Sequence, residues 1–194
     1  MEMSIRPATT DDIPALTALV DAAVRGLGAS AYSLQQIESA LQHVFGADTA
    51  QLIADGTYFV ALIDGQLVGA GGWSRRASLH GSGQAVAAFL DPARDAAKIR
   101  AFYVHPRWSR RGIGRRLLQC CEAAARAVGF MRLELLATLT GVPLYTASGF
   151  VATTSVVLTL PDGVTFPCVQ MAKALQPQPS TPPQEHARRP WATA

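Results

Sequence analysis

The stretch Phe102-Tyr103-Val104-His105-Pro106-Arg107-Trp108-Ser109-Arg110-Arg111-Gly112-Ile113-Gly114-Arg115-Arg116 decides the fold, because it joins a strand to a helix through a turn bare of side chains at two positions. Upstream, Lys98 to Val104 reads as a strand, halted at His105-Pro106 because proline cannot donate to a ladder. Downstream, Ile113, Leu117, Cys121, Ala125 and Val128 recur one helical turn apart, while Arg115, Glu122 and Arg126 fall elsewhere on the surface and Gly129 closes the helix. Gly112 and Gly114 let amide N–H groups at the helix start approach an anion. The helix N-terminus adds partial positive charge, and Arg107, Arg110, Arg111, Arg115 and Arg116 crowd full charges around it. Such a turn suits a diphosphate. It lacks the Gly-Lys-Ser/Thr of nucleotide-hydrolysing P-loops, and its glycine spacing is not the dinucleotide Gly-x-Gly-x-x-Gly.

Working outward, Ser4 to Arg6 reads as an opening strand. A first helix is capped near Thr9 to Asp12 and carries Ile13, Leu16, Leu19, Val20 and Ala23 to about Gly26; a second runs from the Ser33 cap through Leu34, Ile37, Leu41, Val44 and Phe45 to Gly46. The connection from Arg25 to Tyr32 is expected on the substrate side. Thr57 to Ile63 and Gln66 to Trp73 make a hairpin about Asp64-Gly65, a pair suited to a two-residue turn with positive φ at both positions. Arg75 to Asp95 has no clear period and is long for a connection, so it reads as a lid or arm. Met131 to Ala137 is a buried strand, Leu144 to Ala147 a short helix, and Val151 to Leu160 with Val164 to Ala172 a closing pair of strands. The sum is α/β with a mixed sheet, in a domain over 3–174. From 175 to 194 the prolines at 177, 179, 182 and 183 predict a disordered tail.

With 194 residues, 49% of them hydrophobic and 16% charged, the chain can bury the core of one domain. Gly, Pro, Asp or Arg interrupts every apolar run before the roughly 18 residues a membrane helix needs, so no membrane partner is expected. The first residues, Met1 to Pro7, show no secretory pattern, which makes the cytoplasm the default location. Cys120, Cys121 and Cys168 have neither disulfide nor zinc spacing and read as reduced thiols, Cys121 packing inward and Cys120 sideways. The four histidines, His43, His80, His105 and His186, are scattered, so no metal site is expected. The net charge of +3 and the lack of interleaved aromatics around the arginine turn speak against a nucleic-acid partner.

At the turn the chain resembles the GCN5-related N-acetyltransferase (GNAT) superfamily, whose coenzyme A signature Arg/Gln-x-x-Gly-x-Gly/Ala reads here Ser109-Arg110-Arg111-Gly112-Ile113-Gly114, with serine in the first position. The approach Phe102 to Pro106, the amphipathic helix and Leu144-Tyr145-Thr146-Ala147-Ser148-Gly149-Phe150 extend the likeness over most of 3–174. The resemblance implies a mostly antiparallel sheet with flanking helices and splayed fourth and fifth strands. It implies acetyl-CoA as cosubstrate, with Phe102, Tyr103 and Val104 along the pantetheine arm and Arg110, Arg111, Gly112, Ile113, Gly114 and Arg115 at the diphosphate. Thr140 then stands where many relatives present asparagine to the cofactor.

The same likeness implies direct attack of a small molecule's primary amine on the thioester. An N–H around Val104 would polarise the carbonyl and Tyr145, in a Tyr-x-x-x-Gly-Phe pattern, would protonate the departing thiolate. The alternative is a coenzyme A-binding module without catalysis, which Ser109 and the lack of an evident general base favour. Glu134, Asp55, His80 and His105 are the base candidates, and Trp73, Arg75, Arg76 and Arg100 are candidates for the acceptor side, where they would favour an anionic substrate. A homodimer paired through the sheets is compatible with the family.

Overall fold

The apolar spacings of the sequence resolve, in the computed structural model, into β1 (Met3–Pro7), α1 (Ile13–Gly28), α2 (Leu34–His43), α3 (Thr49–Ala54), β2 (Tyr58–Ile63), β3 (Gln66–Ser74), β4 (Ala97–Val104), α4 (Ile113–Ala127), β5 (Arg132–Thr138), α5 (Val142–Ala147), β6 (Val151–Thr159) and β7 (Thr165–Ala174). The structure describes residues 2–77 and 88–176. The centre of the expected lid, His80 included, and residues 177–194 of the expected tail therefore lie outside the described residues. Leu175, assigned to the tail on composition, is buried, and its N–H donates to the Met131 carbonyl at 2.8 Å.

The strands form one seven-stranded sheet in the order β1-β2-β3-β4-β5-β7-β6, antiparallel at every junction except β4 with β5. The α/β class with a mixed, mostly antiparallel sheet is thus the observed one. Helices cover both faces. On one, Leu16, Leu19, Val20 and Ala23 of α1 pack with Tyr58, Val60, Ala70 and Tyr103. On the other, Ile113 and Leu117 of α4 meet Ala61, Ile63 and Val68, while Leu118, Cys121 and Ala125 meet Ile99, Leu133 and Leu135. Cys121 is fully buried and Cys120 only partly, as their positions on the helix require. No described helix is long and apolar enough to cross a membrane.

Asp64 and Gly65 both take positive φ, 48° and 78°, giving the tight hairpin between β2 and β3. A second special backbone position is Ala101, at φ 53°. It sits in a bulge, where the register passes from Ala70 opposite Tyr103 to Gly72 opposite Arg100. The extra residue changes the phase of the strand: Ile99 packs with α4, the consecutive Arg100 and Ala101 both lie toward the opposite face, and alternation then resumes with Phe102 and Val104 on the α4 face and Tyr103 on the α1 face. Tyr58 ties the bulge down, its hydroxyl donating to the Ala101 carbonyl at 3.3 Å.

The parallel junction is short. β4 and β5 pair only at Ala97 with Leu133 and Lys98 with Glu134, the second pair carrying an ion pair as well. Beyond that point the strands diverge, which is the splay expected of the fourth and fifth strands. The α1–α2 connection reaches over the far ends of β5 and β7, where the Tyr32 hydroxyl donates to the Pro167 carbonyl at 2.8 Å and accepts from the Leu139 N–H at 2.7 Å.

Three helical details differ from the sequence reading. α2 ends at His43, so Val44 and Phe45, expected within it, lie in the turn that follows. α1 continues past Gly26 to Gly28, because a glycine within a helix costs only about 1 kcal/mol and does not end it. α3 was not anticipated: at six residues it is too short to display a period, and Leu52 is its only buried side chain.

Close packing of α4 on β3 depends on Gly69, where an added Cβ would sit 2.8 Å from an Ile113 methyl and 3.4 Å from the Tyr103 carbonyl oxygen. Gly69→Ala should therefore destabilise the fold by about 1–3 kcal/mol, seen as a lower denaturation midpoint in urea at unchanged slope.

Candidate active site

The glycine turn leaves a row of main-chain donors without partners. Gly112, at φ 82°, is the N-cap of α4 and offers no side chain, and the first helical hydrogen bond runs from the Arg116 N–H to the Gly112 carbonyl at 3.0 Å. Ser109 is occupied by the turn itself: its N–H and its hydroxyl donate to the Pro106 carbonyl at 3.2 and 2.9 Å. Among the described residues, none accepts a hydrogen bond from the amides of Arg110, Arg111, Gly112, Ile113, Gly114 or Arg115. Nor does any described carboxylate pair with Arg107, Arg110, Arg111, Arg115 or Arg116. Arg111 instead lies over the Trp108 ring, 4.8 Å from its centroid. Six free amides at the positive end of a fifteen-residue helix, flanked by unneutralised arginines, match the charge and donor count of a diphosphate.

The turn opens beside the β4–β5 gap. An added Cβ on Gly114 would lie 3.0 Å from Leu144 and 3.7 Å from Val104, so the start of α4 is pressed against α5 and the end of β4. His105 donates its N–H to the Val68 carbonyl of β3 at 2.9 Å. Successive N–H groups of a regular strand point to opposite sides, so the Val104 amide turns away from β3 toward the gap.

A cavity of about 140 Å³ lies on the α1–α2 side of this gap. Its wall includes Phe45, Asp48, Arg100, Phe102, Tyr103, Thr138, Tyr145 and Cys168. Tyr145 is buried edge-on between Phe102 and Phe150, with ring centroids 6.1 and 5.8 Å away, yet no described group hydrogen-bonds its hydroxyl. Burial holds its pKa well above the ordinary phenol value, with smaller contributions from Cys121 and Tyr103, so the group stays a proton donor. Burial likewise pushes the Cys168 thiol up to about 12, which keeps it un-ionised at neutral pH. Tyr103 is engaged elsewhere, its hydroxyl accepting from the Gly46 N–H at 3.4 Å.

Of the other residues singled out in the sequence, Thr140 sits past the end of β5 with its hydroxyl 3.3 Å from that of Thr138, and it is Thr138 that reaches the cavity. Trp73 packs in the core against Phe130. Arg76 is held by both oxygens of Asp55 at 2.7 Å, and Arg75 lies over Phe89. Those two arginines and Asp55 are absent from the cavity wall, whereas Arg100 is part of it. Glu134 is taken by Lys98, and His105 Nδ1 accepts from the Arg107 N–H at 3.2 Å. Among the described residues there is no group of three or more His, Cys, Asp or Glu side chains able to hold a metal ion.

The acetyltransferase (GNAT) family model matches residues 29–150, which span α2, the hairpin, β4, the glycine turn, α4 and α5. The chain belongs to the acetyltransferase (GNAT) family. Solved structures agree on the fold of this acetyltransferase-family chain. A GCN5-related N-acetyltransferase from Rhodopseudomonas palustris superposes with TM-score 0.68 at 24% identity, over 90% of this chain and 99% of the other. The PaiA N-acetyltransferase of Thermoplasma acidophilum, solved in complex with coenzyme A, gives 0.66 at 17% identity over 90% and 99%. The protein yncA of Salmonella typhimurium, solved with its cofactor acetyl-CoA, gives 0.62 at 19% identity over 93% and 98%. No curated protein matches the chain.

One cavity residue had no signal in the sequence. Asp48 lies beyond Gly46, where the expected second helix stops, in a segment with no expected element, and its carboxylate reaches Arg100 at 3.3 Å, fifty-two positions later. A charged residue on each of two distant elements would have been paired only by knowing that the α2–α3 connection crosses β4 at its bulge.

Gly112 has open space where a Cβ would stand, so a substitution there acts through the backbone alone. Gly112→Ala is expected to cost about 1–2 kcal/mol from the left-handed conformation, measured by chemical denaturation.

Proposed function

We propose that this chain transfers the acetyl group of acetyl-CoA to the primary amine of a small molecule by direct attack. One observation carries the reading: the unsatisfied amides of Arg110 to Arg115 open beside a parted pair of strands whose wall presents an unpartnered Tyr145 hydroxyl. Family membership and neighbours solved with coenzyme A or acetyl-CoA support the choice of acyl donor.

On this reading acetyl-CoA supplies an activated thioester, and the chain does the rest. The amides and arginines of the turn hold the diphosphate, and Phe102, Tyr103 and Val104 at the end of β4 lie along the pantetheine arm. Thr140, whose hydroxyl lies 3.3 Å from that of Thr138, would offer the cofactor a further hydroxyl. The Val104 N–H, turned into the gap, donates to the carbonyl oxygen as negative charge develops there, an interaction worth about 3–4 kcal/mol in comparable sites. The amine nitrogen forms its bond to the acetyl carbon as the carbon–sulfur bond breaks, and the amine's surplus proton leaves toward solvent. Tyr145 gives its proton to the departing sulfur and is reprotonated from water. Cys168 takes no acetyl group, because a thiol held at about 12 is scarcely ionised at neutral pH.

The test is thiol release from acetyl-CoA across polyamines, amino acids, aminoglycosides and peptide N-termini. Release with some of these amines supports the proposal, and coenzyme A binding without release for any of them points to a non-catalytic module. Tyr145→Phe should lower kcat about a hundredfold or more while leaving the acetyl-CoA dissociation constant unchanged. Cys168→Ala should keep turnover within a few-fold of the parent. A raised phenol pKa means that the acid form persists as pH rises, so kcat should show no falling limb up to about pH 10; a fall beginning near pH 8 would contradict the assigned acid.

A further inference from the structure

Arg100 is the one cationic side chain on the cavity wall, and it is nine-tenths buried, its side chain keeping 9% of its exposure. Nη1 lies 3.3 Å from Asp48 Oδ2. Nη2 is cut off from solvent and finds no acceptor. A guanidinium is a planar fork of donors that is always charged, and a buried charged donor without an acceptor is strongly disfavoured unless something arrives to satisfy it. Burial already pulls the Arg100 pKa below its ordinary value, with Asp48 opposing that pull.

The surroundings explain why this cation can wait there. Arg100, the residue before the bulge, reaches Asp48 of the α2–α3 connection, while Phe102 and Val104 fall on the α4 face. Arg100 thus shares a wall with Tyr145 yet stays clear of the basic glycine turn. Beside Arg100 the wall carries Phe45, Leu136, Leu158 and Phe166, so an anion entering the cavity finds one fixed fork of charged donors to hold it.

We infer that the acceptor amine carries a carboxylate, which pairs with the Arg100 guanidinium on the cavity wall while the amine faces Val104 and Tyr145. This rests on the acetyl-transfer reading and narrows its substrate class to amino acids or their amine-bearing homologues. A phosphate dianion fits less well, because Asp48 beside the fork repels a second negative charge.

The experiment measures thiol release with L-α-amino acids and with ω-amino acids from β-alanine to ε-aminocaproate, each against its own carboxamide. At least one acid should exceed its carboxamide by about tenfold or more in kcat/KM, the difference lying in KM. Arg100→Gln should abolish that ratio, and Arg100→Lys should restore part of it, with thermal melts showing which variants fold. Calorimetry of the preferred acid and its carboxamide, with coenzyme A present, should give the same order of affinity without turnover. The wild-type comparison decides even if neither variant folds. Carboxamides turned over as well as the acids, or release confined to amines without a carboxylate such as polyamines, overturn the carboxylate assignment and leave acetyl transfer standing, whereas no thiol release with any amine of either panel overturns both.

Discussion

The structure depends on the parting of β4 from β5. Two parallel strands that stopped pairing without compensation would leave main-chain donors and acceptors unmet inside a protein, a costly arrangement. Here the parting is built in: Lys98 and Glu134 clamp the strands at their last shared register, and the bulge at Ala101 turns β4 out of phase immediately afterwards. The Tyr58 hydroxyl bound to the Ala101 carbonyl keeps that residue in an unfavourable backbone region. A sheet that is continuous elsewhere thereby opens at one place, with unsatisfied amides along one lip of the opening.

Two environments meet there. At the end of β4 the helix start is exposed, basic and made of backbone, suited to a highly charged ligand that arrives from solvent. On the other side of the sheet a small cavity, walled in part by Phe45, Leu136, Leu158 and Phe166, holds a single acid–base pair, Asp48 with Arg100. The division gives each half of a two-substrate reaction its own recognition chemistry. On the proposed reading, Val104 and Tyr145 stand at the boundary between them.

Much of this was legible from residues alone. Asp64-Gly65 fixed the hairpin because few pairs accept two positive φ angles, and the stripe from Ile113 to Ala125 identified α4 because apolar residues recur on one face. The bare turn at Gly112 and Gly114 marks free amides in the sequence itself. The bulge was hidden, since alanine gives no sign that it will adopt φ 53°. The occupation of Ser109 by the Pro106 carbonyl was hidden as well, and it moves the burden of gripping an anion from that side chain to the amides and arginines. The Asp48–Arg100 pair is a product of topology, joining a helix connection to a strand far along the chain.

The most direct test of the free-amide cradle is amide-resolved nuclear magnetic resonance during titration with coenzyme A. Saturable shifts concentrated at the N–H groups of Arg110 to Arg115 and at Val104, absent with pantetheine lacking the phosphates at the turn but retained at Val104, are the predicted result. Saturation of the protein with coenzyme A while those turn amides stay unshifted, or no binding at millimolar ligand, would contradict the account.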